Sequence, residues 1–284
     1  MSVKPRRMWR RWVALLALLG IALIGKGYWN ATRDPVVRTA VVAVADWPTG
    51  QAPIKVLLLS DVHVSTPDMS PARLTRLVGQ LNRLKPDLVV IAGDLISGKR
   101  FATRHHTPDE IAAPLAGFRA PLGIVAVLGN HDFWHDAPAQ AAALRKRGII
   151  VLANNATRRG PLIVGGVADE VTRHDDIPGT YAAMDALGAG PRVLLTHSPD
   201  VVPRLPAPVA AVLTGHTHCG QLVFPLIGAL TYASKYGDRF ACGRIDTGGQ
   251  PVFVGAGLGT SIVPLRYGAP PDVWLVTLGP DKVP

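Results

Sequence analysis

Residues 54–63 read IKVLLLSDVH, a short apolar run that ends in a carboxylate and an imidazole. Such a run, bounded by polar residues, is typical of a strand buried inside a sheet. The same arrangement occurs twice more: Leu88 to Ile91 leads to Gly93-Asp94, and Gly123 to Leu128 leads to Gly129-Asn130. Three buried strands, each ending in polar residues, therefore form the frame around which the rest of the fold is predicted.

Helical segments separate these strands. Apolar residues recur at helical spacing from Pro71 to Leu84, with Ser70 as N-cap and Pro71 at the first helical position. Further helices are predicted at 108–118 and 137–147. The second half has one helix near 181–187 and is richer in strands, predicted at 149–152, 162–167, 193–196, 209–214, 252–254 and 273–277. This order predicts an α/β fold in which two packed sheets have helices outside.

Five polar motifs lie at the ends of predicted strands, where α/β folds bind their ligands. They are Asp61-Val62-His63, Gly93-Asp94, Gly129-Asn130-His131-Asp132, Thr196-His197 and Gly215-His216-Thr217-His218. Carboxylate and imidazole ligands suit Mn, Fe or Zn better than Ca. Each motif alone is also typical of an ordinary turn or a buried histidine, but five of the nine histidines fall in this set. The set as a whole therefore predicts a metal centre.

The spacing within the motifs indicates how the ligands are shared. Asp61 and His63 are two apart on a segment predicted to be extended, so both side chains should face the same side. Asp94 is the candidate bridge between two cations. His216 and His218 form a pair that can send one imidazole to each cation if the backbone bends there.

Neighbouring residues of the motif Gly129-Asn130-His131-Asp132 are predicted to have different roles. Asn130 offers a neutral oxygen ligand. His131 follows directly and points elsewhere, so it is the candidate proton donor to a leaving oxygen. Asp132 is the candidate to orient that histidine.

Together these motifs resemble the calcineurin-like metallophosphoesterases, over about residues 54 to 278. The resemblance implies a four-layer α/β/β/α sandwich, to which this chain would add an N-terminal membrane-anchor helix. It also implies two divalent metal ions, Mn, Fe or Zn with Mn favoured, that activate a hydroxide for in-line attack on phosphorus. One metal would be held by Asp61, His63, Asp94 and His218, and the second by Asp94, Asn130, His197 and His216. His131 matches the catalytic histidine of the family.

The residues that follow the last motif narrow the resemblance. Cys219-Gly220-Gln221, Pro225-Leu226-Ile227-Gly228 and Gly257-Leu258-Gly259-Thr260 resemble a bacterial membrane-associated branch, which includes a phosphodiesterase and a UDP-2,3-diacylglucosamine pyrophosphatase of lipid A synthesis. Leu95-Ile96-Ser97-Gly98 differs from the Asp and Arg residues of the protein-phosphatase branch. The branch implies hydrolysis of a phosphodiester or pyrophosphate bond in a lipid-linked substrate. The alternatives are a general nucleotide or cell-wall phosphodiesterase and a non-catalytic binding module on the same fold.

Several other residues are candidates for substrate contact. Leu222, Val223, Phe224 and Leu226 fit either an acyl-chain groove or the core. Arg239, Arg244 and Arg266 fit either a phosphate contact or surface salt bridges. Cys219, beside His218, fits a ligand role less well than the histidines do, and a disulfide with Cys242 is open.

The amino terminus predicts a membrane anchor. Trp12 to Gly25 is an uncharged run of 14 residues between Arg11 and Lys26. As a helix it covers roughly 21 Å, short of the ~30 Å hydrocarbon core, but Gly27-Tyr28-Trp29 could continue the span with aromatic residues at the interface. A signal peptide is the alternative, although no small-residue cleavage site follows the run closely.

The chain is accordingly divided into three parts. Residues 1–26 are predicted to be a basic N-terminus with an anchor or signal anchor. Residues 27–52 are predicted to be a connector with a possible edge strand at Val36 to Val44, and residues 53–284 to be a metallophosphoesterase domain. The predicted location is the bacterial inner membrane. The positive-inside rule would keep residues 1–11 in the cytoplasm and the body outside, whereas an interfacial helix would leave the body inside.

The formal net charge is +10, but six of the basic residues lie within residues 4–26, and without them the charge is +4. No basic stripe is interleaved with aromatic residues, so the composition indicates no nucleic-acid partner. The predicted partners are a phosphoester or lipid-linked diphosphate and the membrane.

Overall fold

The computed structural model describes residues 5–280, so residues 1–4 of the predicted anchor and 281–284 of the predicted domain lie outside the described part. Two six-stranded sheets form the body. The first contains, in spatial order, β1 (Val36–Ala43), β16 (Asp272–Gly279), β2 (Ile54–Leu59), β4 (Leu88–Ala92), β6 (Ile124–Val127) and β7 (Ile150–Val151). Its neighbouring strands are parallel except for β16 and β2, which are antiparallel.

The second sheet has four parallel strands at its centre and an antiparallel strand at each edge. Its order is β14 (Gly243–Thr247), β15 (Gln250–Val254), β11 (Ala211–Thr214), β10 (Arg192–Leu195), β9 (Leu162–Gly166) and β8 (Asn155–Arg159). Two small antiparallel pairs complete the strands: β3 (Ser65–Thr66) with β5 (Arg104–His105), and β12 (Val223–Phe224) with β13 (Gly228–Ala229).

Side chains that alternate along the strands build the layers. Leu58 of the first sheet packs with Leu213 of the second in one buried cluster between the sheets. Leu57 faces the other way, into a cluster with the helices α2 (Pro71–Leu81), α3 (Pro108–Leu115) and α5 (Ala137–Lys146). Met184 of α6 (Ile177–Ala186) packs with Leu194 on the outer face of the second sheet. These four layers confirm the predicted α/β/β/α sandwich.

Local signals explain the helix boundaries. The Ser70 side chain accepts a hydrogen bond from the Arg73 backbone N–H and caps α2, which has Pro71 in its first turn, as predicted. Gly148 has φ +78 just after α5, where an L-residue would be strained. One short helix was not predicted: α4 (Asn130–His135) begins inside a motif that also fits a plain turn.

The N-terminal helix is longer than its uncharged run. Helix α1 spans Pro5–Thr32, 28 residues, because Gly27, Tyr28 and Trp29 continue it past Lys26. Among residues 5–280 it is the one helix long and apolar enough to cross a membrane. Strand β1 follows and pairs with β16 along all eight residues at the edge of the first sheet. Part of the predicted connector 27–52 therefore belongs to α1 and to the sheet.

Candidate metal centre

The predicted metal ligands converge at one edge of the two sheets. The loops that carry them follow β2, β4 and β6 in the first sheet and β10 and β11 in the second. These strands are parallel within each sheet, so their carboxyl ends meet at the same edge. The structure brings together all seven predicted ligands: Asp61, His63, Asp94, Asn130, His197, His216 and His218.

Asp61, His63 and His218 form the first cluster. His63 Nε2 lies 3.1 Å from His218 Nε2, and His218 Nε2 lies 3.4 Å from Asp61 Oδ1. His63 Nε2 is also 3.5 Å from Asp94 Oδ2. The ligand atoms of the cluster thus surround a space of the size that one cation occupies.

Asp94, His197 and His216 form the second cluster, together with Asn130. His197 Nε2 lies 3.3 Å from Asp94 Oδ2, 3.0 Å from Asn130 Oδ1 and 3.1 Å from His216 Nδ1. The same Asp94 oxygen therefore faces one histidine of each cluster. This position is the one that a carboxylate bridging two cations requires.

Backbone carbonyls fix which ring nitrogens face inward. His63 Nδ1 lies 3.0 Å from the Ile96 carbonyl, and His197 Nδ1 lies 2.7 Å from the Ala92 carbonyl. His216 uses the other nitrogen, with Nε2 2.8 Å from the Ala233 carbonyl. A carbonyl only accepts, so each outer nitrogen carries a proton, and in a neutral ring the inner nitrogen then has a lone pair. With neutral rings, acceptors converge in the second cluster, an arrangement that either a proton on His197 or a metal cation stabilises.

The electrostatics agree with this donor set. Burial lowers the pKa of His63 and His218 well below the ordinary value and that of His216 to about 4, so these rings are neutral. Burial is the largest single influence and acts to lower the pKa of His197, but the nearby carboxylates of Asp94, Asp61 and Asp169 together outweigh it and raise that pKa to about 10. The surroundings of His197 thus favour a positive charge, which a divalent cation would supply. The residues present fit a dinuclear metal site.

Several ligands have a left-handed backbone, which corrects the prediction of an extended Asp61–His63 segment. Asp61 and His63 have φ of +47 and +46, and Asp94 has φ +53. The Asp61 N–H donates to the Gly93 carbonyl and the His63 N–H to the Asp94 carbonyl, both at 3.0 Å. These bonds pull the loop after β2 onto the loop after β4. Each such residue costs about 1–2 kcal/mol, which the surrounding structure must offset.

His131, the neighbour of Asn130 in the first turn of α4, lies close to two predicted ligands, with its ligand atom within 4.8 Å of those of His63 and Asp94. Its ring centroid is 4.7 Å from that of His63 and 5.0 Å from that of Trp134. Among the described residues, its buried Nδ1 has no hydrogen-bond partner. The imidazole therefore stands beside the metal ligands with a free nitrogen.

Asp132 does not orient His131, contrary to the prediction. Its carboxylate accepts hydrogen bonds at 3.0 Å from the backbone N–H groups of Leu95, Ile96 and Gly129. It is fully buried at the start of α4. The side chain ties the loop after β4 to the loop after β6, and so fixes Asp94 relative to Asn130.

Two buried cations contact residues of the first cluster, in positions that no motif predicts. Arg266, predicted to meet phosphate or a surface carboxylate, is fully buried, with a guanidinium nitrogen 3.3 Å from His218 Nδ1. Lys99 Nζ donates to Asp68 at 2.8 Å and to the His63 carbonyl at 3.3 Å. Burial lowers the pKa of Lys99 to about 8. Arg266 and Lys99 lie outside the five motifs, in segments that mix polar and apolar residues, so the sequence did not predict that either one is buried against a histidine.

A cavity of about 460 Å³ opens beside the centre. His131 and His216 lie on its metal side. The rest of its lining is mostly apolar and includes Trp134, Leu222, Leu230, Ile262 and Val263. Of the residues predicted to line an acyl groove, Leu222 does so, whereas Leu226 is fully exposed.

Cys219 and Cys242 form a disulfide, the alternative that the sequence left open. The bond closes a loop that contains β12 and β13 and, with Leu222 and Leu230, much of the apolar wall. The Thr217 hydroxyl also donates to the Ala241 carbonyl at 2.7 Å. The wall is thereby fastened to the segment between His216 and His218.

Comparisons with known proteins agree with this geometry. The chain is 30% identical to the uncharacterized metallophosphoesterase YkuE of Bacillus subtilis over 259 residues, 87% of this chain and 85% of that protein. It is 29% identical to a zebrafish transmembrane protein with metallophosphoesterase domain, over 93% of this chain and 62% of that protein. A Caenorhabditis elegans metallophosphoesterase F40B5.2 is 30% identical over 79% of this chain, which spans about half (48%) of that relative.

The relatives and the site agree on the family. The zebrafish relative is named a transmembrane protein, and helix α1 of this chain is long and apolar enough to cross a membrane. The sequence pattern of the calcineurin-like phosphoesterases, whose name implies metal-dependent phosphoester hydrolysis, matches residues 54–220, which contain all seven ligands and His131. The chain belongs to the calcineurin-like phosphoesterase family.

Proposed function

We propose that this chain is a membrane-anchored hydrolase of phosphodiester or pyrophosphate bonds that works with two divalent metal ions, Mn being favoured over Fe and Zn. The observation that carries the proposal is the pair of clusters that share Asp94. Asp61, His63 and His218 would hold one ion with Asp94, while Asn130, His197 and His216 would hold the other. When bound, two such ions activate water and neutralise charge on phosphoryl oxygens.

The chain's own residues would perform the remaining work. His131, beside both clusters and with a free nitrogen, would donate a proton to the leaving oxygen. Asp132 would hold the two ligand loops together through its three backbone contacts. Arg266 and Lys99 would keep His218 and His63 in place from behind.

The substrate we propose is a lipid-linked phosphate or diphosphate, of which UDP-2,3-diacylglucosamine is one candidate. The cavity beside the centre is walled by apolar side chains, including Leu222 and Ile262, which suit acyl chains better than sugars or nucleotides. The helix α1 would hold this cavity close to lipids. A general nucleotide or cell-wall phosphodiesterase would not need either feature.

We also propose that the catalytic domain lies on the non-cytoplasmic side of a bacterial inner membrane. Arg6, Arg7, Arg10 and Arg11 precede the apolar run, and the positive-inside rule keeps them in the cytoplasm. The Cys219–Cys242 disulfide is typical of an oxidising compartment. Both features support the same orientation.

Purified full-length chain in detergent with Mn²⁺ tests the chemistry. Asp94→Ala and His216→Ala should each abolish hydrolysis of bis(4-nitrophenyl) phosphate. His105→Ala removes an exposed histidine on β5 and should leave the rate unchanged. Full activity of Asp94→Ala would refute the metal centre, and binding without hydrolysis by the wild type would indicate a non-catalytic module.

The substrate class needs a second comparison. We expect UDP-2,3-diacylglucosamine or another lipid-linked diphosphate, presented in mixed micelles, to be hydrolysed with a higher kcat/KM than soluble diesters. Turnover of soluble diesters alone would exclude the lipid substrate while leaving the phosphodiesterase chemistry intact.

A further inference from the structure

The last turns of α1 are fixed to the loop that precedes β16. The Arg266 backbone N–H donates to the Gly27 carbonyl at 3.0 Å, and the Asn30 side-chain amide donates to the Arg266 carbonyl at 3.1 Å. The Tyr267 hydroxyl donates to the Leu23 carbonyl. The Tyr267 ring also lies so close to Gly27 that an added Cβ would be 2.8 Å from it. The helix therefore leaves the body at a fixed position.

These contacts lie at the depth where a membrane surface is expected. Leu23 is three residues before Lys26, the first charged residue after the apolar run. The hydrocarbon core takes about 20 residues, so a span that begins at Trp12 ends near Ala31, and the contacts of α1 from Leu23 to Asn30 lie in its second half, toward the surface. The Lys26 ammonium lies 4.4 Å over the Trp29 ring, a basic and aromatic pair typical of the interface. Tyr267 thus contacts α1 between Leu23 and Gly27, in the half of the span that approaches the bilayer surface.

Four large apolar side chains of the β12–β13 hairpin and of the segments that line the cavity are exposed, each by at least 62%. We call them the apolar rim: Leu226, Ile227, Leu230 and Ile262. Leu226 and Ile227 form the tip of the β12–β13 hairpin. Phe224 of the same hairpin stacks on Tyr267 with ring centroids 5.4 Å apart, and the Val223 N–H donates to the Tyr267 carbonyl at 2.9 Å. The hairpin is therefore joined to α1 through Tyr267.

The apolar rim also borders the cavity, because Leu230 and Ile262 line it. Contiguous exposed apolar side chains mark interaction surfaces, and leucine and isoleucine suit the boundary between headgroups and acyl chains. We propose that the apolar rim inserts into the membrane surface beside α1 and turns the mouth of the cavity toward the lipids. The inference rests on the proposed anchoring by α1 but not on the reaction at the metal centre.

An environment-sensitive label tests the insertion. Cys219 and Cys242 are paired, so Leu226→Cys or Ile227→Cys in the full chain adds one free thiol for an NBD fluorophore. The labelled protein is placed in nanodiscs of phosphatidylcholine and phosphatidylglycerol, with and without doxyl-labelled phosphatidylcholine. We expect blue-shifted emission and several-fold quenching by the doxyl lipid at both positions.

Ala182→Cys is the matched control, an exposed position on α6 that should give water-like emission without quenching. Thermal unfolding of each unlabelled variant shows that it is folded. Emission at 226 and 227 as water-like as at 182 would overturn the proposal. Shielding without quenching by doxyl lipid would also overturn it, because another protein surface would then cover the rim.

Discussion

Replacing Gly129 by alanine should disrupt the second metal cluster. A Cβ at Gly129 would lie 2.7 Å from both the Asp94 backbone nitrogen and His197 Cγ, and closer still to an Asp94 carboxylate oxygen. Ordinary contact begins at 3.4 Å, so these groups must move by about 0.7 Å or more. Ligand distances in metal sites tolerate only about 0.2 Å. The backbone of Gly129 has negative φ, so the effect comes from space and not from backbone strain.

The expected result is loss of at least one metal ion per chain and a fall in kcat/KM of roughly 100-fold or more. Metal content after dialysis is measured by mass spectrometry, and the rate with bis(4-nitrophenyl) phosphate. Gly79→Ala is the matched control, since nothing lies within 4 Å of its Cβ on α2. It should keep both metals and gain about 0.5–1 kcal/mol of stability from helix propensity. Two metals and a wild-type rate in Gly129→Ala would refute the steric argument.

Three further outcomes follow from the site. His131→Asn should keep both metals but slow the hydrolysis of alkyl diesters by about 100-fold or more. Hydrolysis of nitrophenyl diesters should slow less, because nitrophenolate leaves without a proton. An equal fall in rate for both substrates would contradict a proton-donor role. Chelation should lower the thermal midpoint, since Asp61 and Asp94 lose their counter-charge, and Mn²⁺ should restore it. At a free metal concentration of 100 times Kd, each bound ion should add about 2.7 kcal/mol to the free energy of unfolding. In intact cells, Cys242→Ser should leave the Cys219 thiol free to react with a maleimide, whereas the wild type should react only after reduction. Labelling of the wild type before reduction would contradict both the disulfide and the proposed orientation.

The strands and the position of the site could be predicted because their signals are local. Each central strand is a short apolar run, and each ends in a polar motif such as Gly93-Asp94. Since parallel strands end at a common edge, the motifs had to meet once the strands were placed. The seven ligand positions therefore depended on the fold and not on any one motif.

What could not be predicted depends on contacts between distant segments. The left-handed backbone of Asp61 accompanies a hydrogen bond from its N–H to the carbonyl of Gly93, in the loop that follows β4. Asp132, at the start of α4, accepts from Leu95 and Ile96, which lie 37 and 36 residues earlier in the chain. The sequence spacing alone instead favoured a contact between Asp132 and its neighbour His131. The carbonyl of Ala233, which fixes the ring of His216, lies in an irregular loop without a motif.

These distant contacts show how the chain can hold the ligands in place before a metal binds. Convergent lone pairs and two carboxylates repel one another, and left-handed ligands such as His216 add strain, so the cluster would relax if only its own loops held it. The outer nitrogens of His63, His197 and His216 are instead held by carbonyls from other segments, and Asp132 holds two of the ligand loops together. Such outer contacts orient ligands and commonly change metal affinity by 10- to 100-fold when removed, by the general behaviour of metal sites. The centre is therefore built at the expense of local stability, and it is the packing of the two sheets that makes this possible.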